Sequence, residues 1–220
     1  MLAALLFDLD GTLTDTDRLH LVAIQQLLME EDDRDFTQAQ FETLCSGRAN
    51  AQMCMNLFPE RSVAEHQAFA DRKEARFRAL SSHLEPIAGL DRLLGYAEQH
   101  GIGMVVVTNA PRANADHMLG ALGLAQRLER VVVAEELPHA KPHPLPYLTG
   151  LQHLQAEAHL GLAFEDSIPG ITAAKAAGIF TVGLATSQSH ATLSAAGADL
   201  VIDDYTDPRL WAHIERLQAS

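Results

Sequence analysis

The chain has 220 residues, 47% of them hydrophobic, and its 16 Lys and Arg against 29 Asp and Glu give a formal net charge of −13. That length buries a full core, as one large domain or as a main domain with a smaller one, and the lack of biased tracts points to an ordinary globular protein. The acidic balance excludes a nucleic-acid backbone as partner, which needs clustered cations, yet leaves room for a small anionic substrate at a site with its own cations or metal.

The first apolar run, Met1 to Phe7, is ended by Asp8 and has no basic segment before it. No run approaches the ~18 apolar residues that a membrane helix needs. Cys45 and Cys54 have no metal-ligand spacing and read as reduced thiols. Together these features predict a soluble, cytoplasmic protein without a membrane partner; oligomeric state is not legible.

In chain order, "LAALLF" predicts a buried strand ending at Asp8, broken by Gly11 and Thr12. Four helices are predicted next, over Thr16–Glu31, Thr37–Cys45, Ala49–Leu57 and Ser62–Ser82. Glu65 stands three residues after Ser62, a capping-box signature. No strand interrupts these helices, which read as a unit inserted after the first strand. From Pro86 the rhythm changes. Helices over Leu90–His100, Pro111–Leu122, Pro144–Gln155 and Ile168–Ala177 alternate with the strands "IGMVVV", "RVVVA" and "HLGLAF". "FTVGLA" and "DLVID" are two more strands, and Trp211 lies on a terminal helix. Short β-branched runs alternating with helices predict βαβ units and a parallel sheet covered on both faces.

Three of the apolar strands end alike: in Asp8, in Thr108-Asn109 and in Glu165-Asp166. In an open α/β sheet, ligands bind outside the carboxyl ends of the strands, so these endings gather on one edge. Lys141, in "HAKPHP", can reach that edge. The set suits phosphoryl transfer. Asp8 is the candidate nucleophile. Asp10, two residues on, is the candidate acid for the leaving oxygen and base for the incoming water. Acidic groups beside a phosphate need cations, and oxygen-only ligands suit Mg²⁺. Asp8 and Asp166 are the expected ligands, with the Asp10 carbonyl, and with Glu165 bound directly or through water. Lys141 offsets remaining charge, and Thr108 donates to a phosphate oxygen. His139 and His143 straddle Lys141-Pro142 and do not share a helix face, so they are not read as a zinc site.

"DLDGT" (Asp8–Thr12), "VVVTN", "AKP" and "FEDS" resemble, in order, the four motifs of the haloacid dehalogenase superfamily. The resemblance spans nearly the whole chain. It implies an α/β protein with a Rossmann-like core, residues 1–13 and 84–220, and an inserted α-helical cap domain, residues 14–83. It also implies Mg²⁺ dependence and an aspartyl-phosphate intermediate. The family's nucleophile maps onto Asp8, its acid/base onto Asp10, its phosphate-binding pair onto Thr108 and Lys141, and its metal acids onto Glu165 and Asp166.

Dehalogenases of the family usually lack the second aspartate, so Asp10 argues for phosphoryl chemistry. Several cap residues are similar to those of the branch holding sugar-phosphate phosphatases and β-phosphoglucomutase. Thr16 and His20 fall at hinge and substrate contacts, Gly47 and Arg48 in a substrate loop, and Lys73 on a later helix. Asn109 joins Thr108, His20, Arg48 and Lys73 as a candidate substrate contact. Thr12 and Thr108-Asn109 depart from the mutase pattern. The expectation is therefore a phosphatase of a small phosphorylated metabolite, with a phosphomutase as alternative. A non-turnover phospho-aspartate switch, like a receiver domain, is a distant third, because receivers are shorter and uncapped.

Overall fold

A computed structural model of the chain describes residues 1–219. Strand β1 (Ala4–Phe7) opens the fold, and four helices follow it: α1 (Asp17–Asp32), α2 (Gln38–Leu44), α3 (Asn50–Leu57) and α4 (Val63–Leu80). Then come α5 (Leu90–His100), β2 (Gly103–Thr108), α6 (Arg112–Ala121), β3 (Val131–Val133), α7 (Leu145–Leu154), β4 (Gly161–Glu165), α8 (Ile168–Ala176), β5 (Phe180–Leu184), α9 (His190–Ala195), β6 (Leu200–Ile202) and α10 (Pro208–Ala219).

The six strands form one parallel sheet in the order β3-β2-β1-β4-β5-β6. Alternation along β1 sends Leu5 and Phe7 into one apolar cluster and Ala4 and Leu6 into another. The sheet is thus packed on both faces, as near-continuous apolar strands require. Strand order reverses direction from β1, which lies between β2 and β4, and that switch point sets where a ligand can enter. In register, Phe7 faces Val106 on β2 and Phe164 on β4, and the Asp8 amide donates to the Phe164 carbonyl at 2.9 Å. Asp8 therefore emerges level with Glu165.

A separate apolar cluster lies wholly between residues 21 and 70, joining Ile24 and Leu28 of α1 to Phe41, Met53, Phe58 and Phe69. Cys45 and Cys54 are free thiols in or beside it, and burial pushes them up to about 12 and about 11. Both thiols stay protonated and packed. Among the described residues no helix is long and apolar enough to cross a membrane.

The predicted elements recur with ends shifted by one or two residues. Three differences have local causes. The start of "HLGLAF" is a 3₁₀ turn, Ala158–Leu160, which delivers the chain to the sheet only at Gly161. "RVVVA" leaves the sheet one residue early, because Ala134 opens a 3₁₀ turn. Helix α9 is absent from the expectation because its six residues are too few for a 3.6-residue period to show; Ser189 caps it by accepting from the Thr192 amide.

Candidate active site

The carboxyl ends of β1, β2 and β4 carry Asp8, Thr108 and Glu165, and the loop after β3 brings Lys141 to them. Lys141 Nζ lies 2.6 Å from Asp8 Oδ1 and 2.6 Å from Glu165 Oε1. Glu165 is fully buried, with Tyr147 donating to Oε1 at 2.7 Å and Ser167 Oγ to Oε2 at 3.0 Å. Its two oxygens are committed, so its work in the site is to hold Lys141. Asn109 completes the clamp: its Oδ1 accepts from the Lys141 amide at 3.1 Å, and its Nδ2 donates to the Lys141 carbonyl at 3.4 Å.

Asp166 sits beside this cluster, held by Ser187 Oγ on Oδ2 at 2.5 Å and by Thr12 on Oδ1 at 3.5 Å. Side-chain oxygens of Asp8, Glu165 and Asp166 lie within 4.8 Å of one another. Burial pushes Asp8 up to about 7, with Lys141 opposing and Glu165 and Asp10 adding. Asp166 is raised well above the usual range by burial and by the Asp8 and Glu165 charges. Lys141 reaches two of these three buried acids, Asp8 and Glu165, and the crowding of acidic groups raises the proton affinity of Asp8 and Asp166.

Asp10 stands past the strand end, so the turn and not strand alternation directs it. Its Oδ1 accepts from Thr16 Oγ1 at 2.6 Å and meets His20 Nε2 at 3.0 Å. Burial works to raise its pKa, but the His20 and Thr16 hydrogen bonds and the His20 charge outweigh it and bring it below the usual value. The His20 ring stacks on Phe77 with centroids 3.9 Å apart. The Asp10 carboxylate lies outside the Asp8–Glu165–Asp166 group; the reading of Asp10 as a ligand concerned its carbonyl.

One cavity of about 80 Å³ is lined by Asp8, Asp10, Thr108, Asn109, Lys141 and Asp166 from the sheet edge. His20, Arg48 and Lys73 line it from the inserted helices. Glu165 lies behind this wall, linked to the cavity lining through Lys141 and Ser167. Arg48 is exposed and donates to the Ser46 carbonyl at 3.3 Å. Lys73 is 6% exposed, not on a solvated face. Gly47 brings the Arg48 loop down to the sheet edge: its φ is +69°, and a Cβ there would sit 2.7 Å from the Ser167 side chain.

Asp17, Asn50, Glu74 and Asn114 also line the cavity without having been singled out. Asp17 is raised by burial and holds Ser46 at 3.2 Å. In the sequence each of these is a polar side chain in a helix with nothing to show that it points inward. Only α1, α3, α4 and α6 converging on the sheet edge gives them a shared destination.

A family model described as "Haloacid dehalogenase-like hydrolase" matches residues 5–184. Validoxylamine A 7'-phosphate phosphatase of Streptomyces hygroscopicus subsp. limoneus is 33% identical over 95% of this chain and 96% of that protein. Phosphoglycolate phosphatase of Rhodospirillum rubrum is 30% identical over 94% of this chain and 90% of that protein. The crystal structure of β-phosphoglucomutase from Clostridium difficile shares the fold, with a TM-score of 0.85 over 100% of this chain and 98% of that one at 23% identity.

Proposed function

The chain belongs to the haloacid dehalogenase-like hydrolases and is a phosphoric monoester hydrolase; on that premise we propose that it is a Mg²⁺-dependent phosphatase of small phosphorylated metabolites, sugar phosphates above all, working through an aspartyl-phosphate on Asp8. The observation that carries this reading is the convergence of Asp8, Asp10, Thr108, Lys141 and Asp166 on one cavity at the strand-order switch.

The donor set fits a divalent cation. Three buried carboxylates opposite one lysine leave negative charge that a cation would balance, and all-oxygen donors suit Mg²⁺. Asp8, Asp166 and the Asp10 carbonyl would hold it. Glu165, already committed to Lys141, Tyr147 and Ser167, fits an outer position. Bound there, Mg²⁺ would neutralise charge on the phosphate oxygens and favour the ionised form of Asp8.

The chain's own groups then divide the work. Thr108 and Lys141 stabilise the transferring phosphoryl group while an Asp8 oxygen attacks phosphorus. Asp10 protonates the departing alcohol, then takes a proton from the water that cleaves the acyl phosphate. In the resting site Asp10 is ionised, the form that activates water. A phosphate dianion arriving beside it raises its proton affinity, the direction its acid role needs. Residues 14–83 serve as a cap over a core of residues 1–13 and 84–220, hinged near Thr14–Asp17 and Ser82–Gly89. The self-contained apolar cluster between residues 21 and 70 supports that division, and closure over the cavity limits water.

The test is phosphate release from a panel of hexose, pentose, glycerol and glycolate phosphates and p-nitrophenyl phosphate, with Mg²⁺ and with a chelator. Release that needs Mg²⁺ and concentrates on a few esters is expected. Release that survives chelation would remove the metal. Isomerisation of β-glucose 1-phosphate without net release would make the protein a mutase.

A further inference from the structure

The charged pair on the inner face of α4 is not needed for the chemistry, yet it is built into the catalytic cavity. Lys73 and Glu74 are 6% and 5% exposed, both line the cavity, and Lys73 Nζ meets Glu74 Oε1 at 2.8 Å. We propose that Glu74 is the specificity-determining residue of this enzyme, selecting phosphate esters of uncharged, sugar-sized polyols and rejecting esters that carry a second anionic group. The proposal rests on the phosphatase reading and names the substrate class of that same site.

Lys73 alone would make this wall a receptor for a carboxylate or a second phosphate. Glu74 cancels that charge at contact distance. Its other oxygen, Oε2, accepts from Asn114 Nδ2 at 2.5 Å, and Asn114 Oδ1 accepts from Arg78 at 2.6 Å. The carboxylate is thus fixed from both sides of the cleft, by α4 and by α6. Burial works to raise its pKa, but the Lys73 and His20 charges outweigh it, so Glu74 stays ionised.

An ionised carboxylate only accepts hydrogen bonds, and its two oxygens offer about four lone-pair sites. Lys73, Asn114 and Asn50 use three of them. The remainder suits a hydroxyl donor and repels another anion. Asn50 beside it can donate or accept, which also suits a hydroxyl.

The nearby arginines are engaged elsewhere or turned away. Glu74, Asn50, Asn109 and Pro111 are shared between the cavity and a wider groove of about 900 Å³. Glu74 therefore stands on the wall that the cavity shares with that groove. In that groove Arg78 is committed to Asn114, and Arg112 is bound to Glu136 at 2.9 Å. Asp71, Asp116 and Glu135 line it as well. Arg48 is the cation left on the cavity wall, and it is exposed and turned to Ser46.

Matched esters test the idea, because each pair differs only in whether the far end is charged. One pair is glucitol 6-phosphate and 6-phosphogluconate; the other is 2-hydroxyethyl phosphate and 2-phosphoglycolate. The wild-type enzyme should favour the uncharged member of both pairs by about tenfold or more in kcat/KM. Glu74→Gln, which keeps size and removes charge, should shrink that ratio by roughly fivefold through KM for the charged member. Glu74→Asp should retain the preference. A purely structural Glu74 would lower both members of a pair equally and leave the ratio where it was; that result overturns the proposal, as does a wild-type preference for the carboxylates. If the glutamine variant fails to fold, Glu74→Asn is read in its place for the same change of ratio. No release from any ester, p-nitrophenyl phosphate included, would bring down the phosphatase reading and this proposal with it.

Discussion

At Gly11 the lack of a side chain decides where Asp166 can stand. The residue has φ +70°, and a Cβ there would collide with the Asp166 carboxylate. Gly11→Ala should therefore cost about 1 kcal/mol for the left-handed backbone alone. Displacing Asp166 should lower kcat as well, on the order of tenfold to a hundredfold. Thermal unfolding and steady-state kinetics read the two effects, and wild-type values in both would show that the turn can relax away from Asp166. This scale is also where the sequence was most informative. Asp8, Thr108 and Asp166 are legible because each ends an apolar run on one sheet edge. Tyr147 and Ser187 were not, since an aromatic on a helix reads as core and a serine in a loop reads as surface. Yet Tyr147 is fully buried with its hydroxyl on Glu165, and Ser187 holds Asp166.

Among the elements, α4 carries the most consequence, because Lys73, Glu74 and Phe77 all sit on its inner face. Its start was readable: Ser62 accepts from the Glu65 amide, and Glu65 reaches back to the Ser62 amide at 2.8 Å. Ser62→Ala should destabilise the protein by about 1 kcal/mol, and Ser62→Gly by only a few tenths. Denaturant midpoints compare the two; an alanine variant as stable as wild type would show that tertiary contacts alone hold the first turn. What the sequence did not disclose is which way α4 faces. The Asp71–Glu74 run looks solvated on any pattern of hydropathy, and its mean signal is polar. Phe69, Ala70 and Phe77 pull the helix against the rest of the molecule, and Lys73 and Glu74 are carried inward with them. Helices ending in Gly101 and Gly178 were delimited well, because a glycine just past the helix stops it.

For the molecule as a whole, the alternation of apolar strands and helices was enough to imply a parallel sheet packed on both faces, and the handed crossover rule leaves few alternatives. Strand order was not readable, since nothing in local composition says that β4 pairs with β1. The register that sets Phe7 beside Phe164 is a product of packing, with the two rings stacked 5.0 Å apart. The site follows from that order: only with β2 and β4 flanking β1 do Thr108, Asp8 and Glu165 stand side by side. In the proposed reaction Asp8 carries the phosphoryl group and Asp10 moves the protons. Asp10→Asn should slow hydrolysis of the acyl phosphate, which Asp8 is expected still to form when the leaving group needs no acid. The variant should be mixed with Mg²⁺ and p-nitrophenyl phosphate, quenched in acid, and its peptides mapped by mass spectrometry. One phosphoryl group on Asp8, absent when Asp8 is also changed to Asn, is the expected result. Turnover by an Asp8→Asn enzyme at the wild-type rate, or a phosphoryl group on any other residue, would contradict it.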